Sequence, residues 1–366
     1  MNIGVIGCGN ISDTYFENLG NMFRNTTVYA CCDLDTARVT AAAEKYGIPH
    51  IMTMDEMLAD PNIDIILNIT TPKTHYSISK QVLLAGKHVY LEKPLSITYE
   101  QGKELVALAQ EKGLYLGCAP DTFMGAGIQT CIELIKEGKI GRPVAGAGYM
   151  MYAGPEIFHP NPAFFYDIGG GPLFDMGPYY ITAYVRMLGR AKSVTAVCSK
   201  AFDERTVMVG EKAGEKINVK VPTHHTGIIQ FENGAVVTLV TSFDVIANGM
   251  PNIEIYGTEG SLKVPDPNGF GGTVLLATRE NPTFTEVPLV SKYDGDNRGI
   301  GLSDMAAAIE EGRKHNASGA LALHVLEIME AFLKSSQLGA PVQIESSPSD
   351  PIPLDWSAEY GTIKAM

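Results

Sequence analysis

At 366 residues the chain is long enough for two domains, because a single core seldom grows past about 250 residues. Hydrophobic residues make up 45% and charged residues 19%, and no stretch is apolar enough to span a bilayer, so a membrane protein is not expected. A formal charge of -13 repels phosphate backbones, and no Lys and Arg cluster interleaved with aromatics stands against it, so no nucleic-acid partner is expected.

Met1-Asn2-Ile3-Gly4-Val5-Ile6 runs straight into a strand, without the basic start, apolar stretch and small-residue cleavage site of a secretory signal, which predicts a cytoplasmic protein. Strand candidates at 3–6, 28–32, 65–69, 89–91 and 114–116 alternate with helical stretches at 37–46, 77–85 and 99–111. Gly47, Gly86 and Gly113 close those helices. Residues 1–120 therefore read as a doubly wound parallel sheet of Rossmann type, covered by helices on both faces.

Gly7-Cys8-Gly9-Asn10-Ile11-Ser12 follows the first strand and opens a helix. Two glycines there let backbone approach a pyrophosphate at the positive helix end, and Ser12, where a third glycine is usual, is small enough for close packing. An ordinary tight turn would fit the same residues. Asp33 closes the second apolar run, at the spacing where an acidic residue accepts hydrogen bonds from an adenosine ribose. Its charge repels a 2'-phosphate, and Leu34-Asp35-Thr36 carries no Arg or Lys, so NAD is expected over NADP.

After Asp121 strands follow strands. A helix at 127–137 and a strand at 144–152 precede runs at 227–231 and 235–242, which flank the hairpin signal Glu232-Asn233-Gly234. A second tight connection is expected at 257–260, late helices at 303–311 and 321–334, and an irregular tail at 343–353. Residues 121–366 thus read as an α+β substrate-binding domain with a large, mostly antiparallel open sheet. Such a sheet leaves an apolar face needing cover, so a homo-oligomer, dimer or tetramer, is expected. Six cysteines show no CxxC spacing and read as buried reduced thiols, and His224-His225 has no Cys or acidic partner at ligand spacing, so no metal site is expected.

Two further stretches are Leu91-Glu92-Lys93-Pro94-Leu95 and Gly169-Gly170-Gly171-Pro172-Leu173-Phe174-Asp175-Met176-Gly177-Pro178-Tyr179. In this order behind the GxG turn, they resemble the glucose-fructose oxidoreductase and inositol dehydrogenase family, Gfo/Idh/MocA. The likeness extends through Thr70-Thr71-Pro72-Lys73-Thr74-His75, Ala85-Gly86-Lys87-His88-Val89, Asp304 and His324-Val325-Leu326-Glu327, nearly the whole chain. It implies an NAD-dependent dehydrogenase that oxidises a secondary hydroxyl of a sugar, glycoside or cyclitol. It also implies that Thr70, Thr71, Pro72, His75, Glu92 and Lys93 join Gly7, Gly9, Asn10, Ile11 and Asp33 in the cofactor site. Lys93 would meet both the nicotinamide side and the reacting hydroxyl, with a cis bond to Pro94.

Most members carry His where this chain has Tyr179; glucose-fructose oxidoreductases and dimeric dihydrodiol dehydrogenases have Tyr. Tyr179 is then either the acid/base or, beside Tyr180 and Tyr184, a core aromatic. A phenol is a poor base at its reference pKa near 10, and an adjacent ammonium such as that of Lys93 favours the phenolate. Asp175 and Tyr179, four apart at a helix start, are expected on one face, with the glycines passing close to a bound ring. The expected mechanism has Lys93 and Tyr179 hold the hydroxyl, Tyr179 take its proton, and Asp175 orient the substrate, with Asp121, His159 and Tyr166 as further contacts. Pro120-Asp121-Thr122 stands where the common family pattern has basic residues, which suggests a neutral, hydroxyl-rich substrate. Two other readings remain open: a redox-neutral enzyme that keeps NAD bound while transiently oxidising a glycoside, and a non-catalytic NAD-binding regulator.

Overall fold

A computed structural model describes all residues, 1–366. The chain packs as two compact units: Met1–Ala126 with Val290–Leu323 and Pro348–Met366, and Gly127–Leu289 with His324–Ser347.

In the first unit β1 (Asn2–Ile6), β2 (Thr27–Cys32), β3 (His50–Ile51), β4 (Ile65–Asn68), β5 (His88–Leu91) and β6 (Leu116–Cys118) form a parallel sheet in the order β3-β2-β1-β4-β5-β6. β4 is buried along its whole length, as helices on both faces require, which is why it reads as an unbroken apolar run. Helices α1 (Ser12–Asn21), α2 (Thr36–Tyr46), α3 (Met54–Ala59), α4 (Pro72–Leu84) and α5 (Tyr99–Lys112) connect the strands. Asp35 caps α2 by accepting from the N–H groups of Ala37 and Arg38, and Gly47 closes it at φ 65°. Thr53 and Glu56 form a capping box on α3. Pro72 starts α4 five residues earlier than the apolar spacing suggests, because a proline at the first helical position gives up no needed N–H. Strand order reverses between β1 and β4, so the loops after these strands flank the switch point where such sheets bind ligands.

The second unit begins with α6 (Ala126–Lys136) and β7 (Pro143–Met151), followed by α7 (Gly171–Asp175) and α8 (Gly177–Leu188). Then come β8 (Ala191–Ser199), the small hairpin β9 (Glu204–Thr206) and β10 (Lys216–Asn218), β11 (His224–Phe231), β12 (Val236–Ser242), β13 (Ile253–Gly257), β14 (Gly260–Val264), β15 (Val274–Thr278) and β16 (Thr285–Val287). Further on lie α9 (Ile300–Glu311), which belongs to the first unit, then α10 (Gly319–Leu338) and β17 (Val342–Gln343). The large sheet runs β16-β15-β14-β13-β7-β12-β11-β8-β17, antiparallel except where β12 lies parallel to β7. β11 and β12 pair across the expected Asn-Gly turn, and β13 and β14 across the second tight connection. β11 alternates strictly, burying Ile229 and Phe231 and exposing Ile228, so one face of the sheet is core. No helix is long and apolar enough to cross a membrane.

One cut between 1–120 and 121–366 does not separate these units, because the chain returns twice to the first. Cys118 donates its N–H to the Ala317 carbonyl at 2.9 Å, and Asn18 Nδ2 bonds the carbonyls of Asp296 and Arg298 at 3.0 and 2.8 Å. The last residues are tied back by the bidentate Arg24–Glu359 pair and by the Gly361 N–H donated to the Tyr293 hydroxyl at 3.0 Å.

Candidate active site

In the first unit the candidate residues lie at the carboxyl edge of the sheet. Gly7 has φ 105°, and a Cβ added there would stand 2.9 Å from the Ile69 carbonyl oxygen, so the turn after β1 needs glycine. At Gly9 a Cβ would meet nothing within 4 Å; the space a side chain would fill is open to a ligand, just before α1. Asn10 is exposed, Ile11 half-buried, and Ser12 buried with its hydroxyl donated to the Gly9 carbonyl at 2.6 Å, the close packing expected of it. Asp33 accepts from the Cys8 N–H at 2.7 Å through Oδ2 and from the Asp35 N–H at 2.8 Å through Oδ1. Each oxygen keeps a second lone pair, which is what two ribose hydroxyls need. An open glycine backbone at a helix start beside a strand-end carboxylate fits a dinucleotide.

Arg38 corrects part of the cofactor reading. Residues 34–36 carry no cation, but Arg38, half exposed, sits 3.6 Å from Asp33 and 3.6 Å from Asp35. The first turn of α2 brings it back to the edge that a tripeptide window misses.

After β5, Glu92 is buried; its Oε1 accepts from the Tyr15 hydroxyl at 2.8 Å and its Oε2 from the Lys93 N–H at 3.0 Å. The Lys93-Pro94 peptide is cis, as the resemblance implied, and the Lys93 side chain is half-buried. Thr70 donates its hydroxyl to Asn68 Oδ1 at 2.7 Å, Thr71 is exposed and Pro72 half-buried, so this loop presents polar groups beside the GxG turn. His75, expected at the cofactor, is instead fully buried, with both ring nitrogens against backbone carbonyls.

Asp121, expected at the substrate, is spent inside the first unit. Its Oδ2 accepts the N–H groups of Gly299 and Gly301 at 2.9 and 3.0 Å, capping α9, while Oδ1 is buried without a partner. Burial pushes its carboxyl up to about 6, against the pull of those two N–H groups and of Arg298.

In the second unit, Asp175 ends α7 and Tyr179 lies in the first turn of α8. The single helix expected here is two, parted at Met176, because Pro178 has no N–H to give the Phe174 carbonyl. Tyr179 is buried, and every residue of α8 is buried with it. The glycine run passes close to protein and not only to open space: a Cβ on Gly170 would stand 2.5 Å from the Phe164 carbonyl oxygen, and one on Gly171 3.0 Å from that of Pro222.

Nothing in the sequence marks the cluster around Arg205. This guanidinium donates to Glu156 at 2.9 Å, bonds Asp244, and reaches the Phe243 carbonyl at 3.2 Å, all nearly buried. Tyr166, expected at the substrate, is fully buried with its hydroxyl on Glu156, and Thr223 donates to Asp244 at 2.7 Å. Tyr152 lies in the same region; burial first, then the charges of Asp175 and Glu156, push its phenol well up, which keeps it protonated. His159 is half-buried, accepts from the Asn161 N–H at 3.0 Å and packs edge-on against Phe164 and Phe165. His225 is buried and held neutral, at about 3, and no group of three His, Cys, Asp or Glu could hold a metal.

The family models that match are those of the oxidoreductase family with an NAD-binding Rossmann fold, over residues 1–119, and of the GFO/IDH/MocA C-terminal domain, over 128–263. An uncharacterized oxidoreductase of Schizosaccharomyces pombe is 32% identical over 191 residues, 50% of this chain and 49% of that one, so the chain spans about half the length of that relative. The D-glucoside 3-dehydrogenase of Escherichia coli is 24% identical over 99% of this chain and 96% of its own. Among solved structures, levoglucosan dehydrogenase in complex with NADH and L-sorbose superposes with a TM-score of 0.80 at 22% identity, covering 94% of this chain and 99% of that one. With its two matched domains, its GxG turn and its EKP strand end, the chain belongs to the Gfo/Idh/MocA family of NAD-binding oxidoreductases.

Proposed function

We propose that the protein transfers hydride reversibly between a secondary hydroxyl-bearing carbon of a sugar, glycoside or cyclitol and NAD. The observation that carries this is the placement, on one sheet edge, of the open glycine turn, the Asp33 carboxylate and Lys93 at the end of β5. Relatives named as dehydrogenases of D-glucoside, D-xylose and myo-inositol support the substrate class.

Gly7, Gly9, Asn10 and Ile11 would hold the pyrophosphate, Asp33 the adenosine ribose, and Thr70, Thr71, Pro72 and Glu92 the nicotinamide half. Leu34, wholly exposed beside Asp33, offers an apolar face to adenine. When bound, NAD supplies the hydride acceptor. Lys93 donates to the reacting hydroxyl and steadies its oxygen as the proton leaves, Tyr179 takes that proton, and Asp175 accepts a neighbouring hydroxyl. A screen of glycosides, monosaccharides, inositols and dihydrodiols for NAD reduction, with the oxidised carbon located by NMR, tests this. Turnover of at least one polyol is expected; binding of NAD with no turnover across the panel would favour the regulator.

Oligomerisation belongs to the same proposal. Val197, Ile228 and Val236 stand exposed on the outer face of β8, β11 and β12, an apolar strip of the kind a second copy covers. Sedimentation should show a species larger than 39.4 kDa, and a monomer alone at micromolar concentration would refute it.

A further inference from the structure

We propose that His75 is a positioning residue for Lys93, holding it through a hydrogen bond donated from Nδ1 to the Pro94 carbonyl and touching neither cofactor nor substrate. The inference rests on the reading of Lys93 as the residue that meets the reacting hydroxyl.

His75 is fully buried on α4, with Nδ1 2.7 Å from the Pro94 oxygen and Nε2 3.1 Å from the Thr70 oxygen. A carbonyl cannot donate, and a neutral imidazole carries one N–H, so the neutral ring bonds one of the two and only the imidazolium bonds both. Burial drives the ring toward the neutral form, while the two carbonyls and Glu92 pull toward the charged one and Lys93 opposes it. We assign the single proton of the neutral ring to Nδ1, at the shorter contact.

That bond completes a clamp on both sides of Lys93. Its own N–H is held by Glu92, which Tyr15 fixes in turn. The residue after it, Pro94, has no N–H, so its carbonyl is the one backbone group by which it can be tied, and His75 is the side chain that ties it. The histidine is itself held in place: Asn68 Nδ2 donates to the His75 carbonyl at 3.3 Å and to Ser79 Oγ at 3.1 Å. With the backbone fixed at 92 and 94, the Cα–Cβ bond of Lys93 leaves the strand end in one direction.

Two substitutions separate this from simple core filling. An asparagine amide nitrogen falls close to the place of Nδ1 and a glutamine amide nitrogen close to that of Nε2, so His75→Asn keeps the Pro94 bond and His75→Gln trades it for Thr70. On the full-length protein, with a substrate from the screen above, His75→Asn should keep kcat within about threefold. His75→Gln should lose about 10- to 100-fold in kcat, as a small misplacement of a catalytic group does, with KM for NAD little changed. Equal loss in both variants, or wild-type kcat in both, overturns the inference. Lys93→Ala is run beside them: if it retains activity, the reading of Lys93 itself fails, whereas a dead Lys93→Ala with an active His75→Gln refutes only the clamp. Should either His75 variant not fold, the wild-type protein answers through 15N NMR of labelled histidine. A proton on Nδ1 of His75 is expected, and the Nε2-protonated neutral tautomer contradicts the assignment.

Discussion

Three carboxylates at the sheet edge of the first unit and a nearly buried pair in the second are held by different means, while Asp304, elsewhere in the first unit, pairs with Arg313 at 2.8 Å. In the first, Asp33, Glu92 and Asp121 are held by neutral donors: the N–H groups of Cys8 and Asp35, the Tyr15 hydroxyl with the Lys93 N–H, and the N–H groups of Gly299 and Gly301. Arg38 stands by Asp33 at 3.6 Å, but half in solvent, where an ion pair weighs little. In the second, Glu156 and Asp244 share one guanidinium, Arg205. Neutral donors fix a carboxylate and leave its charge and spare lone pairs for a ribose hydroxyl or a neighbouring ammonium. A buried arginine cancels the charge and rivets the turn at 155–157, β9 and the segment after β12 together.

Removing the rivet should have the largest effect. Arg205→Ala strands two buried carboxylates and should cost about 3–5 kcal/mol of stability, read by urea unfolding. A loss below about 1 kcal/mol would mean that the cluster is solvated and the contrast between these two sites false. At Asp33 the effect should fall on binding. Asp33→Ser gives up charged hydrogen bonds worth about 1.5–3 kcal/mol, so NAD affinity should fall about 10- to 100-fold by calorimetry. NADP should gain relative to NAD because Arg38 is released, and adding Arg38→Ala should abolish that gain. Wild-type protein that prefers NADP would show that the carboxylate does not set the choice.

The smallest effects are those of pH. With Asp121 raised to about 6 from an ordinary 3.8, the folded state binds the extra proton between those values, so its contribution is full below 3.8 and lost as pH rises through 6. Asp121→Asn keeps an acceptor for Gly299 and Gly301 and removes that loss. Its thermal stability relative to wild type should therefore grow by about 1–2 kcal/mol between pH 4 and pH 7, and a constant difference would contradict the shift. In the second unit His225 and His324, depressed by burial to about 3 and about 4, act in the opposite sense. Their contribution is complete above pH 6.5 and lost as pH falls toward those values, so replacing His225 with Asn should flatten the acid limb of the unfolding profile.

What could be read in the sequence were features whose cause is local. β4 and β5 announce themselves because burial on both faces needs unbroken apolar runs, and the Asn-Gly turn because its backbone needs Gly234 at φ 91°. β3, two residues long, has no period to read. Features made by distant partners stayed hidden. Arg205 meets residues 49 and 39 positions away, with nothing beside it to mark it as buried. Asp121 looked like a strand-end ligand contact because its true partners, the N–H groups opening α9, lie 178 and 180 residues on. His75 stood in a motif that pointed to the cofactor, while its buried ring faces two carbonyls that no spacing rule supplies.

What we propose for Lys93 and Tyr179, that they handle one proton together, is tested most directly by a double-mutant cycle on kcat. Tyr179→Phe should retain the fold and NAD affinity while kcat falls about 10²- to 10⁴-fold, Lys93→Ala should do comparable damage, and the double mutant should be little worse than either. A Tyr179→Phe enzyme turning over at near the wild-type rate would contradict the account and turn attention to Asp175 or His159.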